Sequence, residues 1–381
     1  MPCPELGRLR RCCVTHTGDG GARRNRVRVR SLVRGHSMSG STGRIFHRRL
    51  RRLASAITSG GLSLALVLGL GSAVSAAPAV AAWPSSASNT QVFPGGLWTN
   101  PATLASSAAS QLTASGRTAD AALIRQISSQ PSATWLGDWW SLSLLSSKLN
   151  RMLTASATAG STPVFVTYAI PDRDCGGYSA GGYTDATYLE WNRTIAATLH
   201  GHPAVVLMEP DSIAMLGTVR CAAVAGSRLQ LLAQVTKIYF DAGVPVYLDG
   251  GNSHWVTPAV MAARLGSAGV QYARGFFTNV ANFSRLDAER SYADSLSALL
   301  GGTHYVIDVS RNGAGWQGSW CNPPGAALGQ NPQVTAGTTG LDALLWVKNP
   351  GVSDGSCNGS PAAGAWFEAA ALSLVRIRAA G

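Results

Sequence analysis

The chain has 381 residues, enough for one large domain or two small ones, and 46% of them are hydrophobic, as in a globular protein. Its formal charge of +12 is unevenly placed: residues 1–82 hold 14 of the 31 Lys and Arg but only two of the 19 acids, Glu5 and Asp19, whereas residues 83–381 hold 17 of each. The folded part therefore has no bulk basic face, which argues against a nucleic-acid partner.

The first element in chain order is a leader. Arg44, Arg48, Arg49, Arg51 and Arg52 form a positive start, an apolar run follows from Leu62 to about Val74, and Ala79-Val80-Ala81 offers small residues for cleavage. This is the layout of a secretory signal peptide over residues 38–82, cut near Ala81. The apolar run falls short of the roughly 20 residues a membrane span needs, so no stable membrane anchor is expected. Residues 1–37 fit no part of such a leader, and Met38 is the expected start of the native protein. Export implies an oxidising compartment in which Cys175, Cys221, Cys321 and Cys357 can pair. Four cysteines allow three pairings, and none of the spacings is of a metal-binding type.

Residues 83–98 are rich in Pro, Ser and Gly and predict an extended lead-in to a single domain over 83–381. Beyond it, short β-branched or aliphatic runs recur at 133–137, 164–169, 204–208, 245–248, 272–278, 304–309 and 342–347. Helical stretches lie between most of them, at 139–157, 186–200, 227–242, 257–265 and 287–300, with a last helix at 364–379. Continuously apolar strands alternating with helices predict a parallel sheet buried on both faces. About seven βα repeats suit a closed or nearly closed β/α barrel, with an open doubly wound sheet as the alternative. No Gly-x-Gly-x-x-Gly follows a strand, so no nucleotide cofactor is expected.

Polar residues gather at the carboxyl ends of five of these strands. They are Tyr168 to Cys175, Glu209 to Ser212, Asp249, Ser310 to Gly313, and Lys348 with Asp354. One Asp after a strand is commonly a helix cap; five such ends open onto one face of a β/α barrel, where active sites lie. Several carboxyl groups and 11 Trp, all within 83–381, point to glycoside hydrolysis. That reaction needs one protonated carboxyl to donate to the leaving oxygen and a second, ionised group to activate water or attack the sugar. The donor's pKa must be raised by burial or by a neighbouring negative charge. His200-Gly201-His202 has no evident carboxylate partner and is read as surface, so no metal is expected. A serine hydrolase would need a Gly-x-Ser-x-Gly elbow, which is absent.

The run from Tyr168 to Gly182, with Arg173-Asp174-Cys175 and Gly181-Gly182, and the run Val206 to Ser212 resemble two signatures of glycoside hydrolase family 6. Five more blocks follow in the family's order: Tyr247 to Gly251, Gly275 to Phe283, Val306 to Gly313, Trp320 to Pro323, and Leu345 to Gly355. The resemblance covers about residues 135–367. It implies a distorted seven-stranded parallel β/α barrel and inversion at the anomeric carbon. It also implies Asp211 as general acid, Asp174 as the carboxylate that supports it, and Asp354 as candidate base. Tyr168, Trp135, Asp249, Trp255, Asn279, Trp320 and Lys348 map to sugar-contacting positions. Cys175–Cys221 and Cys321–Cys357 are the disulfides it favours.

Two positions depart from the family pattern: Ala180 stands where a serine is usual, and Asn252 where a histidine is usual. The first puts the proton route to the base in question. The short interval between Cys321 and Cys357 favours an open cleft and internal cleavage over exo action from a roofed tunnel. The resulting expectation is a secreted, monomeric endo-β-1,4-glucanase that takes β-1,4-glucan or cello-oligosaccharides without a cofactor. The alternatives are an exo-acting cellobiohydrolase and a catalytically weakened glucan-binding protein on the same scaffold.

Overall fold

The computed structural model describes residues 87–336 and 340–380. The leader read at 38–82 and the segment 1–37 lie outside them. Seven parallel strands form the frame: β1 Thr134–Gly137, β2 Val164–Tyr168, β3 Val205–Met208, β4 Val246–Asp249, β5 Gly275–Thr278, β6 His304–Asp308 and β8 Leu341–Leu345. They pair in the order β1-β2-β3-β4-β5-β6-β8, and a two-residue strand, β7 Gln333–Val334, adds antiparallel to β8. The seven strands expected from the sequence thus gain a short eighth. The sheet curls until its ends meet at Ala133, whose N–H donates to the Trp346 carbonyl at 3.0 Å.

Strand side chains alternate between two faces, except at the start of β8, where the register against β6 shifts between Leu341 and Ala343. Phe165, Val206, Met208, Leu248, Phe276 and Ile307 point outward beneath the helices. Val166, Leu207, Tyr247, Phe277, Val306 and Leu345 fill the interior. Both sets are buried, which is why each strand is an unbroken apolar run. Each large side chain taken out of water in this way contributes about 1.5–3 kcal/mol.

The first helix corrects the expectation of an extended lead-in. α1 Asn89–Val92 forms a single turn because the Gln91 side chain accepts the Ser88 N–H at 2.7 Å and Val92 and Phe93 join the interior core. Asn89 donates to the Leu341 carbonyl at 3.2 Å, so α1 closes the barrel at the amino-terminal ends of the strands. Two further helices, α2 Leu104–Ala114 and α3 Thr118–Ser128, were not among those expected. Their buried faces are mostly Ala, with Leu112, Ile124 and Ile127, so the apolar periodicity is weak in the sequence.

The remaining helices fall near their expected places: α4 Leu142–Thr158, α5 Asp185–Leu199, α6 Ala225–Asp241, α7 Pro258–Ser267, α8 Leu286–Leu299 and α9 Glu368–Ala380. In α5, Tyr188, Trp191, Asn192, Ile195 and Leu199 make one buried stripe. Thr184 caps its start, accepting the Thr187 N–H at 3.4 Å. α5 ends at His200, whose Nδ1 lies 2.8 Å from the Ala242 carbonyl, and both His200 and His202 are exposed. Among the described residues no helix is long and apolar enough to cross a membrane.

Candidate active site

The carboxyl ends of the strands carry most of the molecule's backbone strain. Nine non-glycine residues among those described have left-handed φ: Asp172, Asp174 and Cys175 after β2, Glu209 and Asp211 after β3, Asn279 and Ala281 after β5, and Asn322 and Asn358 after β6 and β8. Such conformations cost about 1–3 kcal/mol each when surroundings enforce them, and they concentrate at functional sites.

The loop after β2 is pinned by charge and by a covalent bond. Arg173 is buried and donates to the Tyr168 carbonyl at 2.6 Å, the Ser179 carbonyl at 2.7 Å and Asp138 at 2.8 Å. Asp138 also accepts the Gly182 N–H at 2.8 Å. Buried Arg228 donates to the carbonyls of Pro171 and Asp172 at 2.9 and 2.8 Å. Cys175 is bonded to Cys221, which ties this loop to the segment after β3. Within it, Asp174 is half-buried and accepts the Ser179 N–H at 2.8 Å.

The loop after β3 is strapped to the one after β2. The Glu209 carboxylate accepts the N–H groups of Ala169 and Ile170 at 3.0–3.1 Å. Two residues on, Asp211 is partly exposed, and no described group donates to its carboxyl. Its pKa is raised well above the ordinary carboxylate value, first by burial and then by the negative charges of Asp249 and Asp174; Lys348 opposes this only in part. Asp249 is the closest rival for the proton. Burial raises its pKa too, but its oxygens accept the N–H groups of Ile213, Ala214 and Gly251 at 2.9–3.0 Å, which oppose that shift, whereas no such amides oppose it at Asp211, so the proton is better held there.

The third carboxylate is the electrostatic opposite of the first. Asp354 is buried, 2.8 Å from Arg311 and 2.9 Å from Lys348, and accepts the Asn322 N–H at 2.9 Å. Those cations outweigh burial and hold its pKa down to about 2. Burial lowers the pKa of Lys348 itself. The second disulfide, Cys321–Cys357, joins the two segments that carry Asn322 and Asp354. Overhead, the Tyr178 ring lies 5.9 Å from that of Trp320. It also lies against Gly355, where a Cβ would fall 2.7 Å from Tyr178 Cγ. The loops after β2 and β8 therefore touch at one point.

The site gathers a carboxyl that keeps its proton, a carboxylate that stays ionised and a third acid, Asp174, beside the first. Such separation of acid strengths assigns acid and base roles in one pocket. Trp135 stands in the wall, its Nε1 donating to the Val347 carbonyl at 2.8 Å, and meets Tyr168 edge-on at 5.1 Å. Trp255 and Trp320 are exposed on the rim.

Two expected sugar contacts are not brought to the cleft. Asp249 is buried and occupied by the three amides named above. Asn279 is buried too, its side chain donating to the carbonyls of Ser284 and Asp308 and accepting the Ser284 N–H. Both hold loops. Asn252, at the other departure from the family pattern, is buried and accepts the His254 N–H at 3.0 Å. Sequence reasoning assigned no role to Asp138, Arg173, Glu209, Arg228, Asp308 or Arg311. Asp308 accepts the N–H groups of Ser310 and Lys348 at 2.9 and 3.0 Å. The available signal was position, since Asp138, Glu209 and Asp308 each end or directly follow a strand.

Residues 95–378 match the family model for glycosyl hydrolases family 6. The chain is similar to endoglucanase A of Cellulomonas fimi, 42% identical over 257 residues, which is 68% of this chain but 56% of that one. The match therefore spans just over half the length of that relative. It is also similar to endoglucanase 1 of Streptomyces halstedii, 35% identical over 81% of this chain and 92% of the other. Among solved structures it resembles the endoglucanase Cel6 of Mycobacterium tuberculosis in complex with methyl-cellobiosyl-4-deoxy-4-thio-β-D-cellobioside, at 36% identity and a TM-score of 0.68, covering 74% of this chain and 97% of that one.

Proposed function

The chain belongs to glycosyl hydrolases family 6, and from that premise we propose that it is an inverting endo-β-1,4-glucanase acting on cellulose or a related β-glucan. One arrangement supports the mechanism: burial and the charges of Asp249 and Asp174 favour the protonated form of Asp211, while Arg311 and Lys348, at 2.8 and 2.9 Å, favour the ionised form of Asp354. Asp211 donates to the leaving glycosidic oxygen. Asp174 keeps the Asp211 proton in place by its charge. Water attacks the anomeric carbon from the other face of the sugar as the glycosidic bond breaks, and its proton passes to the Asp354 carboxylate, directly or through a second water. Tyr168, Trp135, Trp320 and Trp255 offer ring faces to the glucan, and Lys348 offers a cation at the cleft floor.

Proton NMR of cellopentaose during hydrolysis tests this. The α-anomer is expected first; an early β-anomer would make the enzyme retaining and remove the mechanism. Loss of viscosity in a soluble cellulose derivative, ahead of reducing-end release, is the mark of internal cleavage. For that mode the Tyr178 contact with Trp320 must part to admit a chain from the side.

The pH profile has a defined sign. Asp211 works protonated and its pKa is raised, so kcat/KM should be retained at low pH and fall as pH rises through the Asp211 value. Asp354, at about 2, remains ionised throughout. A profile whose alkaline limb is unchanged in Asp174→Asn would remove Asp174 from its supporting role.

A second reading, a catalytically weakened glucan-binding protein, is favoured by the same carboxylate. Asp354 is a poor proton acceptor at a pKa of about 2, and Ala180 has no hydroxyl to order water. Cello-oligosaccharide binding without turnover would select it, and Ala180→Ser is then the first reversion to make.

Export with cleavage near Ala81 is part of the same proposal. The two disulfides support it, since such bonds persist in oxidising compartments.

A further inference from the structure

Side chains along β1 alternate between two faces. Leu136 packs outward with the helices, and Trp135 packs against the interior core. Gly137 therefore shares the inner face with Trp135, and the space its side chain would fill is already taken. A Cβ on Gly137 would fall 2.1 Å from Cζ3 and 2.3 Å from Cη2 of Trp139. The six-membered ring of Trp139 thus lies over Gly137 on the cleft side, one step beyond Trp135.

Gly137 is the register partner of Tyr168. Val164 and Val166, on the same face of β2 as Tyr168, point inward. Tyr168 consequently flanks the same spot. Arg173 stands between the two rings, its guanidinium carbon 4.8 Å from the Tyr168 centroid and 5.8 Å from the Trp139 centroid, and Asp138 fixes it at 2.8 Å. Trp140 meets Trp139 edge-on at 6.4 Å. Despite these contacts Trp139 is 50% exposed. An isolated surface Trp needs no explanation. This one is held in place by backbone, a fixed cation and a second indole, yet keeps a large open surface in line with Trp135 and Tyr168.

We propose that Trp139 is a further sugar platform, stacking one pyranose unit of a β-1,4-glucan beyond the unit at Trp135 and Tyr168; this rests on the glucanase reading above. The apolar face of a pyranose and an indole ring bury each other, and a pre-fixed ring loses little freedom on binding. Gly137 is the positioning residue, because any side chain there displaces the ring.

The test is equilibrium binding of cellotetraose and cellohexaose to Asp211→Asn, so that nothing is consumed, with and without Trp139→Ala. Trp139→Ala should cut the affinity gain from tetraose to hexaose by about tenfold. Trp139→Phe should restore most of it, which a purely structural loss would not allow. An unchanged gain, or equal weakening of both sugars, overturns the platform. Failure of the glucanase reading shows separately, as absence of cellopentaose turnover by the unaltered protein. If neither sugar binds, the platform is overturned, and turnover by the unaltered protein decides the glucanase reading by itself.

Discussion

Replacing Asp211 by Asn should lower kcat/KM on cellopentaose by at least about a thousandfold, within the range that general acid catalysis supplies, and should leave oligosaccharide affinity within about twofold. The fold should be indifferent to the change. No described group donates to the Asp211 carboxyl, so none is left unpaired, and Asn tolerates the left-handed φ of 70° that Asp211 adopts. Alanine at the same position would mix strain into the result. Substrates with an aryl leaving group of low pKa should suffer much less, because their departure needs no proton. A variant with full activity on cellopentaose would mean that another group holds the proton.

Replacing Arg274 by Met should do the reverse: destabilise strongly and spare the chemistry. At the opposite pole of the barrel Arg274 and Asp342 are both fully buried, with Arg274 Nε and Nη2 at 2.8 and 2.9 Å from the two Asp342 oxygens. Tyr247 donates to the same carboxylate at 2.5 Å, and His304 Nδ1 lies 2.8 Å from it. Removing one member of a buried pair leaves an uncompensated charge and costs about 3–5 kcal/mol, roughly 10 °C in Tm for a domain of this size. Turnover at 25 °C should be little altered. Burial acts against the Asp342 carboxylate, but His304 and Arg274 win and hold its pKa below the ordinary value. It therefore stabilises the fold above the unfolded pKa of about 3.9, and that contribution disappears as pH falls through the lower folded value. The variant, its carboxylate no longer favoured, lacks this contribution. The gap in stability should narrow below about pH 4. Urea unfolding at pH 7 and pH 3 measures both effects, and a loss under about 1 kcal/mol at pH 7 would contradict them.

The parallel frame was legible because its strands are apolar on both faces, a pattern that survives without any structural context. α4 to α9 were legible through buried residues at helical spacing, such as Leu145, Leu149 and Leu153 in α4. α2 and α3 were not, since alanine buries as readily as leucine but carries almost no periodic signal. α1 was hidden by composition: a Ser- and Gly-rich stretch still makes a turn of helix when Gln91 caps it and the barrel needs a plug. At the site, the acids were visible as residue types at strand ends. Their division of labour was not. Asp249 and Asp211 look alike in sequence, and only the three amides aimed at Asp249 separate a loop anchor from a proton carrier. Trp139 was equally invisible, because its exposure and its seat on Gly137 are properties of the folded turn.

The plug has a practical side. α1 sits in the barrel mouth farthest from Asp211, and Ala87 just before it packs into the interior core at that same pole. A tag, surface linker or fused module that enters the domain ahead of Ala87 would therefore hold it by its base. An immobilised enzyme built this way would face its cleft outward to the polymer, whereas coupling through the rim loops would bury the working face against the support.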